Sequence, residues 1–149
     1  MYMHILISTD GSEVAQKGLD HGLSLAKALG ARVTIITVTE PVRVYYDPTG
    51  LAYARSVGGL EAYADRQKEE AVAILAAAKQ SADKLGVSAE TLHVSDAQPA
   101  EAIVEAAKSR DCSLIAMASH GRRGLNRLIL GSKTSEVLAH SPVPVLVVR

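Results

Sequence analysis

The chain has 149 residues, 48% of them hydrophobic and 21% charged, which is typical of one compact globular domain spanning residues 1–149. Its 16 Lys and Arg balance its 16 Asp and Glu, so it lacks the global positive field that would hold nucleic acid or an anionic membrane surface. The N-terminus carries neither a basic segment nor a long apolar run, which argues against a signal peptide or membrane span and predicts a cytoplasmic protein.

Short β-branched runs alternate along the chain with Ala-rich helical stretches. This alternation predicts the α/β class, with a single open, five-stranded parallel sheet covered by helices on both faces. The predicted strands are Met3–Thr9, Arg32–Val38, Ser88–Val94, Ser113–Ala118 and Val143–Val148.

Apolar residues at three- and four-residue spacing predict one helix between each pair of successive strands. Ser12 can cap the first helix, and Gly30 ends it. The other three run from Leu60 to Leu85, from Pro99 through Ala107, and roughly from Ser132 to His140.

A basic segment punctuated by Gly follows the fourth predicted strand. It runs from Met117 to Gly124 and leads to Gly131-Ser132-Lys133-Thr134 at the start of the last helix. Glycines let backbone N–H groups approach a ligand, and the free N–H groups at a helix start attract anions. The segment is therefore predicted to be a nucleotide-binding loop.

The first and fourth strands are expected to flank the site, because ligands of open α/β sheets bind at the carboxyl ends of strands where the strand order reverses. Those ends are residues 8–11 and 118–121. Asp10 follows an apolar strand, where a short carboxylate can reach the crevice to contact a ribose or a magnesium ion. An equally open interpretation is that Asp10 only caps the first helix.

These residues resemble the universal stress protein family, and specifically its ATP-binding branch. The signature of that branch is Gly, two residues, Gly, nine residues, then Gly followed by Ser or Thr. Gly121, Gly131 and Ser132 match its last three elements in spacing, whereas Ala118 stands where the family has its first Gly. The similarity extends to residues 5–12, 99–103 and 142–148.

The resemblance implies a Rossmann-like, nucleotide α-hydrolase-like fold that binds ATP with magnesium or manganese. It implies a stress-response or signalling module with at most slow ATP hydrolysis. Asp10 would meet the ribose or the metal, backbone groups of Val38 would read the adenine, and Met117 would line the nucleoside. The complete predicted nucleotide-binding set is Thr9, Asp10, Val38, Met117, Ala118, His120, Gly121, Arg122, Gly124, Gly131, Ser132, Lys133 and Thr134.

The departure at Ala118 is tolerable only in one backbone conformation. A methyl group is sterically allowed there if φ is negative, as in a strand, but Ala is strained if φ is positive. The strand end favours a negative φ, so ATP binding stays the leading hypothesis. The added methyl could still crowd the ribose and lower affinity.

Other chemistry-bearing residues of the loop each have two interpretations. Arg122, Arg123 and Arg127 either donate to phosphate oxygens or form a solvated loop. His120 either donates to a phosphate, with slow hydrolysis as an extension of that role, or packs the loop. Ser132 is interpreted as a helix cap and phosphate ligand rather than a nucleophile.

The remaining His residues and Cys112 show no metal-ligand spacing. Cys112 is predicted to be a buried small hydrophobe. The order Gly131-Ser132-Lys133 reverses that of a P-loop, and no GxGxxG follows the first strand, which excludes those two phosphate motifs.

The segment from Glu40 to Gly50 is rich in Pro and Gly and carries several of the few aromatic residues. It is predicted to be a flexible loop at the carboxyl end of the second strand, on the ligand side of the sheet. A lid over the nucleotide and a partner-contacting or solvent loop are both open interpretations.

The last predicted strand, Val143–Val148, is nearly all apolar and would lie at the sheet edge, where it invites pairing with another chain. The resemblance implies the same, because family members commonly dimerise through this strand. A homodimer is therefore predicted.

Two other function classes stay open. One is a dimeric adaptor whose nucleotide site is weakened through Ala118 and which acts by contacting an unidentified protein partner. The other is an adenine-nucleotide hydrolase or adenylyl transferase, for which a Ser-rich pyrophosphate loop near Ser8 would be expected. The sequence has no such loop.

Overall fold

The computed structural model describes residues 1–41, 51–120 and 129–149. Five strands alternate with four helices in this part of the chain. The strands are β1 His4–Ser8, β2 Arg32–Val38, β3 Ala89–Val94, β4 Leu114–Ala118 and β5 Val145–Val148. The helices are α1 Glu13–Leu29, α2 Leu51–Leu85, α3 Pro99–Ser109 and α4 Ser132–His140.

All the strands lie in one parallel sheet with the order β3-β2-β1-β4-β5, which confirms the predicted fold class. Helices α1 and α2 pack on one face around Ile7 and Ile35, and α3 and α4 pack on the other around Leu6 and Ile115. The strand order reverses between β1 and β4, so their carboxyl ends meet at the expected crevice.

The ends of α1 follow the predicted capping chemistry. The Ser12 hydroxyl oxygen accepts a hydrogen bond from the Ala15 N–H at 3.1 Å, and Gly30 ends the helix with φ of 64°. Strand β5 begins at Val145, two residues later than predicted, because Pro144 has no N–H to donate to a ladder.

Helix α2 starts at Leu51 instead of Leu60 and has 35 residues, a length of about 52 Å at 1.5 Å per residue. The inward packing of its described side chains begins at Ala71, and those from residues 61 to 70 are exposed or half-buried. The prediction missed residues 51–59, because the adjacent glycines Gly58 and Gly59 disfavour a helix at that point of the sequence. Within the described ranges, no helix combines the length and apolar character needed to cross a membrane.

A polar network with a buried centre and an exposed end joins β1, β2 and β3 near their amino ends, opposite the crevice. The imidazole of His4 is 3% exposed; its Nδ1 lies 3.0 Å from the carbonyl oxygen of Arg110 and its Nε2 lies 2.8 Å from Thr34 Oγ1. Glu90 Oε1 accepts from the Thr34 hydroxyl at 2.8 Å and from the Arg110 guanidinium at 2.6 Å. Burial, with the nearby charge of Arg32, lowers the pKa of His4 below its ordinary 6.5.

This lowered pKa predicts that acid destabilises the fold. The unfolded chain takes up the His4 proton near pH 6.5 and the folded chain only at a lower pH, so the free energy of unfolding falls as the pH drops below about 6.5. Urea unfolding between pH 7.5 and 5.5 measures this slope, to which one group contributes at most about 1.4 kcal/mol per pH unit. His4→Gln should flatten the slope, whereas His21→Gln, at an exposed position of α1, should leave it unchanged. Equal slopes in all three proteins would rule out His4 as the source.

Candidate functional site

The carboxyl ends of β1, β2 and β4 surround an inner pocket of about 80 Å³, which adjoins an outer cleft of about 570 Å³ between α2 and the start of α4. Ten predicted site residues line one or both spaces: Thr9, Asp10, Val38, Met117, Ala118, His120, Gly131, Ser132, Lys133 and Thr134. Their individual roles as ligands stay predictions. The predicted Gly121, Arg122 and Gly124, with Arg123, Arg127 and residues 42–50 of the predicted lid, lie outside the described residues.

The end of β1 forms a tight turn into α1. Asp10 Oδ1 accepts from the Ser12 N–H at 2.9 Å, and Thr9 Oγ1 accepts from the N–H of Gly11, whose φ is 77°. The N-cap of α1 is Ser12, so the interpretation of Asp10 as the helix cap is wrong. Asp10 instead holds the turn while its carboxylate lines both the pocket and the cleft.

The end of β2 presents backbone groups toward the crevice. On the β1 side of this strand, Arg32 N–H donates to Met3 and Ile36 accepts from Thr9. N–H and C=O groups of alternate residues point the same way in a strand, so those of Val38 also face the β1 side. They lie two residues beyond the hydrogen bond from the Thr9 N–H to the Ile36 carbonyl oxygen, and Val38 lines the inner pocket.

Ala118 lies within β4, and the described non-Gly residues with positive φ are Asp96 and Asp111, so the Ala118 backbone is unstrained. Helix α1 approaches this point closely, since a Cβ atom on Gly18 would lie 3.0 Å from the Ala118 nitrogen. On the other side, the buried Thr134 hydroxyl donates to the Ala118 carbonyl oxygen at 3.0 Å. This hydrogen bond therefore holds the start of α4 against the end of β4.

Helix α4 begins at the rim of the crevice with Gly131 as its N-cap, so the interpretation of Ser132 as the cap is wrong. The Gly131 N–H donates to the Ser119 carbonyl at 2.8 Å, and a Cβ atom on Gly131 would lie 3.1 Å from the Cα atom of His120. The first helical N–H groups, on Ser132, Lys133 and Thr134, have no carbonyl one turn earlier to bond to. Their partial positive charge favours an anion at this position.

Two polar pairs lie at the rim. The hydroxyl of the buried Ser119 lies 3.0 Å from His120 Nδ1, which fixes the ring that lines the pocket. Across the opening, the Lys133 ammonium lies 3.4 Å from Glu40 Oε1.

Several lining residues were not found by sequence analysis. They come from α1, α2, α3 and neighbouring strand positions, and no local motif marks them. The inner pocket adds Ser8, Ala15, Ile36, Pro99 and Ile103, and the outer cleft adds, among others, Glu40, Tyr63, Gln67, Glu70 and Glu136.

The described residues contain no cluster of three or more His, Cys, Asp or Glu that could hold a metal ion without other ligands. Cys112 is buried, as predicted, and burial raises the pKa of its thiol to about 11, so no thiolate nucleophile forms at neutral pH.

Comparisons with known proteins agree with this architecture. Residues 1–149 match the universal stress protein family. The universal stress protein YxiE of Bacillus subtilis is 35% identical over 150 residues that cover all of both chains. The solved structure of the protein MJ0577 is 29% identical, with a TM-score of 0.78 over 99% of this chain and 96% of that one.

A universal stress protein solved in complex with cAMP is 24% identical, with a TM-score of 0.68 over 99% of this chain and 97% of that one. At this identity the likeness bears on the fold alone. The full-length family match and the relationship to YxiE establish the family itself. The chain belongs to the universal stress protein family.

Proposed function

We propose that this protein binds ATP with magnesium in the crevice between β1 and β4. It acts as a stress-response or signalling module with at most slow ATP hydrolysis. The observation that carries the proposal is the alignment of three features around one space: the Val38 backbone edge, the Asp10 carboxylate and the N-terminus of α4.

Each feature suits one part of the nucleotide. The Val38 N–H and C=O offer one donor and one acceptor, which complement the edge of an adenine ring. Asp10 can accept from ribose hydroxyls, because an ionised carboxylate is a hydrogen-bond acceptor at both of its oxygens. The N–H groups at the start of α4 suit phosphate oxygens.

Magnesium fits this site only together with the nucleotide. Mg²⁺ in nucleotide sites is commonly held by one or two carboxylates and by phosphate oxygens. Asp10 supplies one carboxylate, and the described residues form no metal cluster of their own. Asp10 would therefore hold the ion jointly with the phosphates, where its charge would offset theirs.

The cAMP complex supports an adenine nucleotide as a ligand class for this fold, while the proposal for this chain rests on its own geometry. The adaptor alternative depends on a nucleotide site weakened through Ala118. The unstrained Ala118 backbone argues against strain as the cause, and crowding of the ribose by the methyl group is tested by substitution below.

We also propose a homodimer that pairs two copies of β5. Pro144 and Val148 carbonyls accept hydrogen bonds from β4, so the backbone groups of Val145 and Val147 point to the open side of the sheet. An apolar edge strand of this kind can extend the sheet into a second copy. An unidentified protein partner would then receive the nucleotide-dependent signal.

Isothermal titration calorimetry of ATP in the presence of magnesium tests the binding proposal. We expect saturable binding of one nucleotide per chain. No heat and no displacement of a fluorescent adenine nucleotide would contradict it.

Ala118→Gly tests whether the methyl group belongs to the pocket wall. Because Ala118 is unstrained and 7% exposed, we expect ATP affinity to rise or to stay within about fivefold, since removing one methyl relieves crowding and loses at most about 1 kcal/mol of contact. The same calorimetric titration measures it. A large loss of affinity would mean that the methyl is a required nucleoside contact.

A further inference from the structure

We propose that Glu40 is a specificity-determining residue of this site, which lowers the affinity for phosphorylated ligands relative to the nucleoside. Its carboxylate pairs with the Lys133 ammonium and so competes with nucleotide phosphate for that cation. The inference rests on the proposed function, since it concerns phosphate binding in the same cleft. Glu40 follows β2 and Lys133 is the second residue of α4, so their 3.4 Å ion pair bridges two walls of the outer cleft.

Lys133 is well placed for a phosphate group. It lines both the inner pocket and the outer cleft, and it follows the helix N-terminus that would bind the anion. Among the described lining residues it is the one Lys or Arg side chain. Among the described lining residues, the orientation of the Lys133 side chain therefore decides whether a phosphate in the cleft meets a Lys or Arg side chain.

The pair with Glu40 is weak enough to be displaced. The two side chains are 55% and 39% exposed, and ion pairs in such water-exposed settings contribute little because solvent screens them. A phosphate chain carries more negative charge than one carboxylate, so it can outcompete Glu40 for the ammonium.

Other acidic residues share the cleft with this ion pair. Asp10, Glu40, Glu70 and Glu136 line the same cleft as Lys133. While Glu40 holds Lys133, an entering phosphate must displace that carboxylate before it meets the ammonium. The ion pair thus weakens phosphorylated ligands relative to the nucleoside, whose binding needs neither residue.

The test compares the affinity for ATP with the affinity for adenosine, at fixed magnesium and low ionic strength, by calorimetry. Glu40→Gln should tighten ATP roughly two- to fivefold and leave adenosine unchanged, because an exposed ion pair is worth up to about that ratio. Lys133→Gln should weaken ATP. In the Lys133→Gln background, Glu40→Gln should keep only the smaller gain expected from removing any carboxylate of the cleft, since the competition is gone.

Glu136→Gln is the matched control, because it removes a carboxylate of the same cleft from α4. We expect a smaller gain in ATP affinity, which persists in the Lys133→Gln background. Equal gains for Glu40→Gln and Glu136→Gln, both persisting without Lys133, would show general charge repulsion and overturn the inference.

The failures of the two proposals are distinguishable. A protein that binds ATP and adenosine with the same ratio before and after Glu40→Gln overturns this inference alone. A protein that binds neither ligand overturns the proposed function together with it. Urea unfolding curves establish that each variant is folded before it is titrated.

Discussion

Gly131→Val should weaken ATP binding by roughly 10- to 100-fold, the largest effect that we expect from one substitution in the site. A Cβ atom at this position would lie 3.1 Å from the Cα and 3.3 Å from the Cβ of His120. Both distances are shorter than ordinary van der Waals contacts, and the nearer one is to a backbone atom, so the added side chain must push the two segments apart. Such overpacking typically costs on the order of 1–3 kcal/mol, and here the strain falls on the junction that aims the α4 N–H groups.

The measurement is a calorimetric titration of ATP into the variant, with unfolding curves to separate lost binding from lost folding. Gly59→Val is the matched control, because a Cβ on Gly59 in α2 meets no described atom within 4 Å. We expect its affinity to equal that of the parent protein. Undiminished ATP affinity in Gly131→Val would refute the role of the α4 start in holding phosphate.

Val147→Lys should convert the proposed dimer into a monomer. The Val147 backbone groups point to the open edge of β5, and a Lys side chain on an edge strand opposes pairing with a second copy. The substitution would also add one positive charge to each of the two paired edge strands, where like charges repel. Light scattering should give a mass near 15.7 kDa for the variant and twice that for the parent protein.

The control for added charge is Val72→Lys, which changes a side chain of α2 that is 58% exposed and distant in the fold from β5. It should remain a dimer. A Val147→Lys protein that stays dimeric would exclude pairing through β5, and a monomeric parent protein would exclude the homodimer itself.

Most of the fold could be predicted because its signals are local. Each β-branched run became a strand, and α4 has the predicted bounds Ser132–His140. Helix α2 starts nine residues before its predicted start at Leu60. The adjacent glycines Gly58 and Gly59 disfavour a helix locally, so the sequence gives no signal that the helix extends back to Leu51.

The parts of the site that are built from residues close together in the sequence could be predicted. The parts that form where the fold brings distant residues together could not. Asp10 and Gly131 follow from strand ends and glycine spacing, so their position at the crevice could be expected. Glu40 and Lys133 are far apart in sequence, and their pairing depends on how β2 and α4 meet. The same holds for His4 and Glu90, which share Thr34 across three strands.

The central claim is that the crevice between β1 and β4 is an adenine nucleotide site. Its most direct test is to denature the freshly purified protein, separate the released small molecules by anion exchange and identify any nucleotide. We expect ATP in near-stoichiometric amount, or full occupancy after ATP and magnesium are added to protein that emerges empty. A protein that releases no nucleotide and also fails to bind added ATP would contradict the claim and favour an adaptor that works without a ligand.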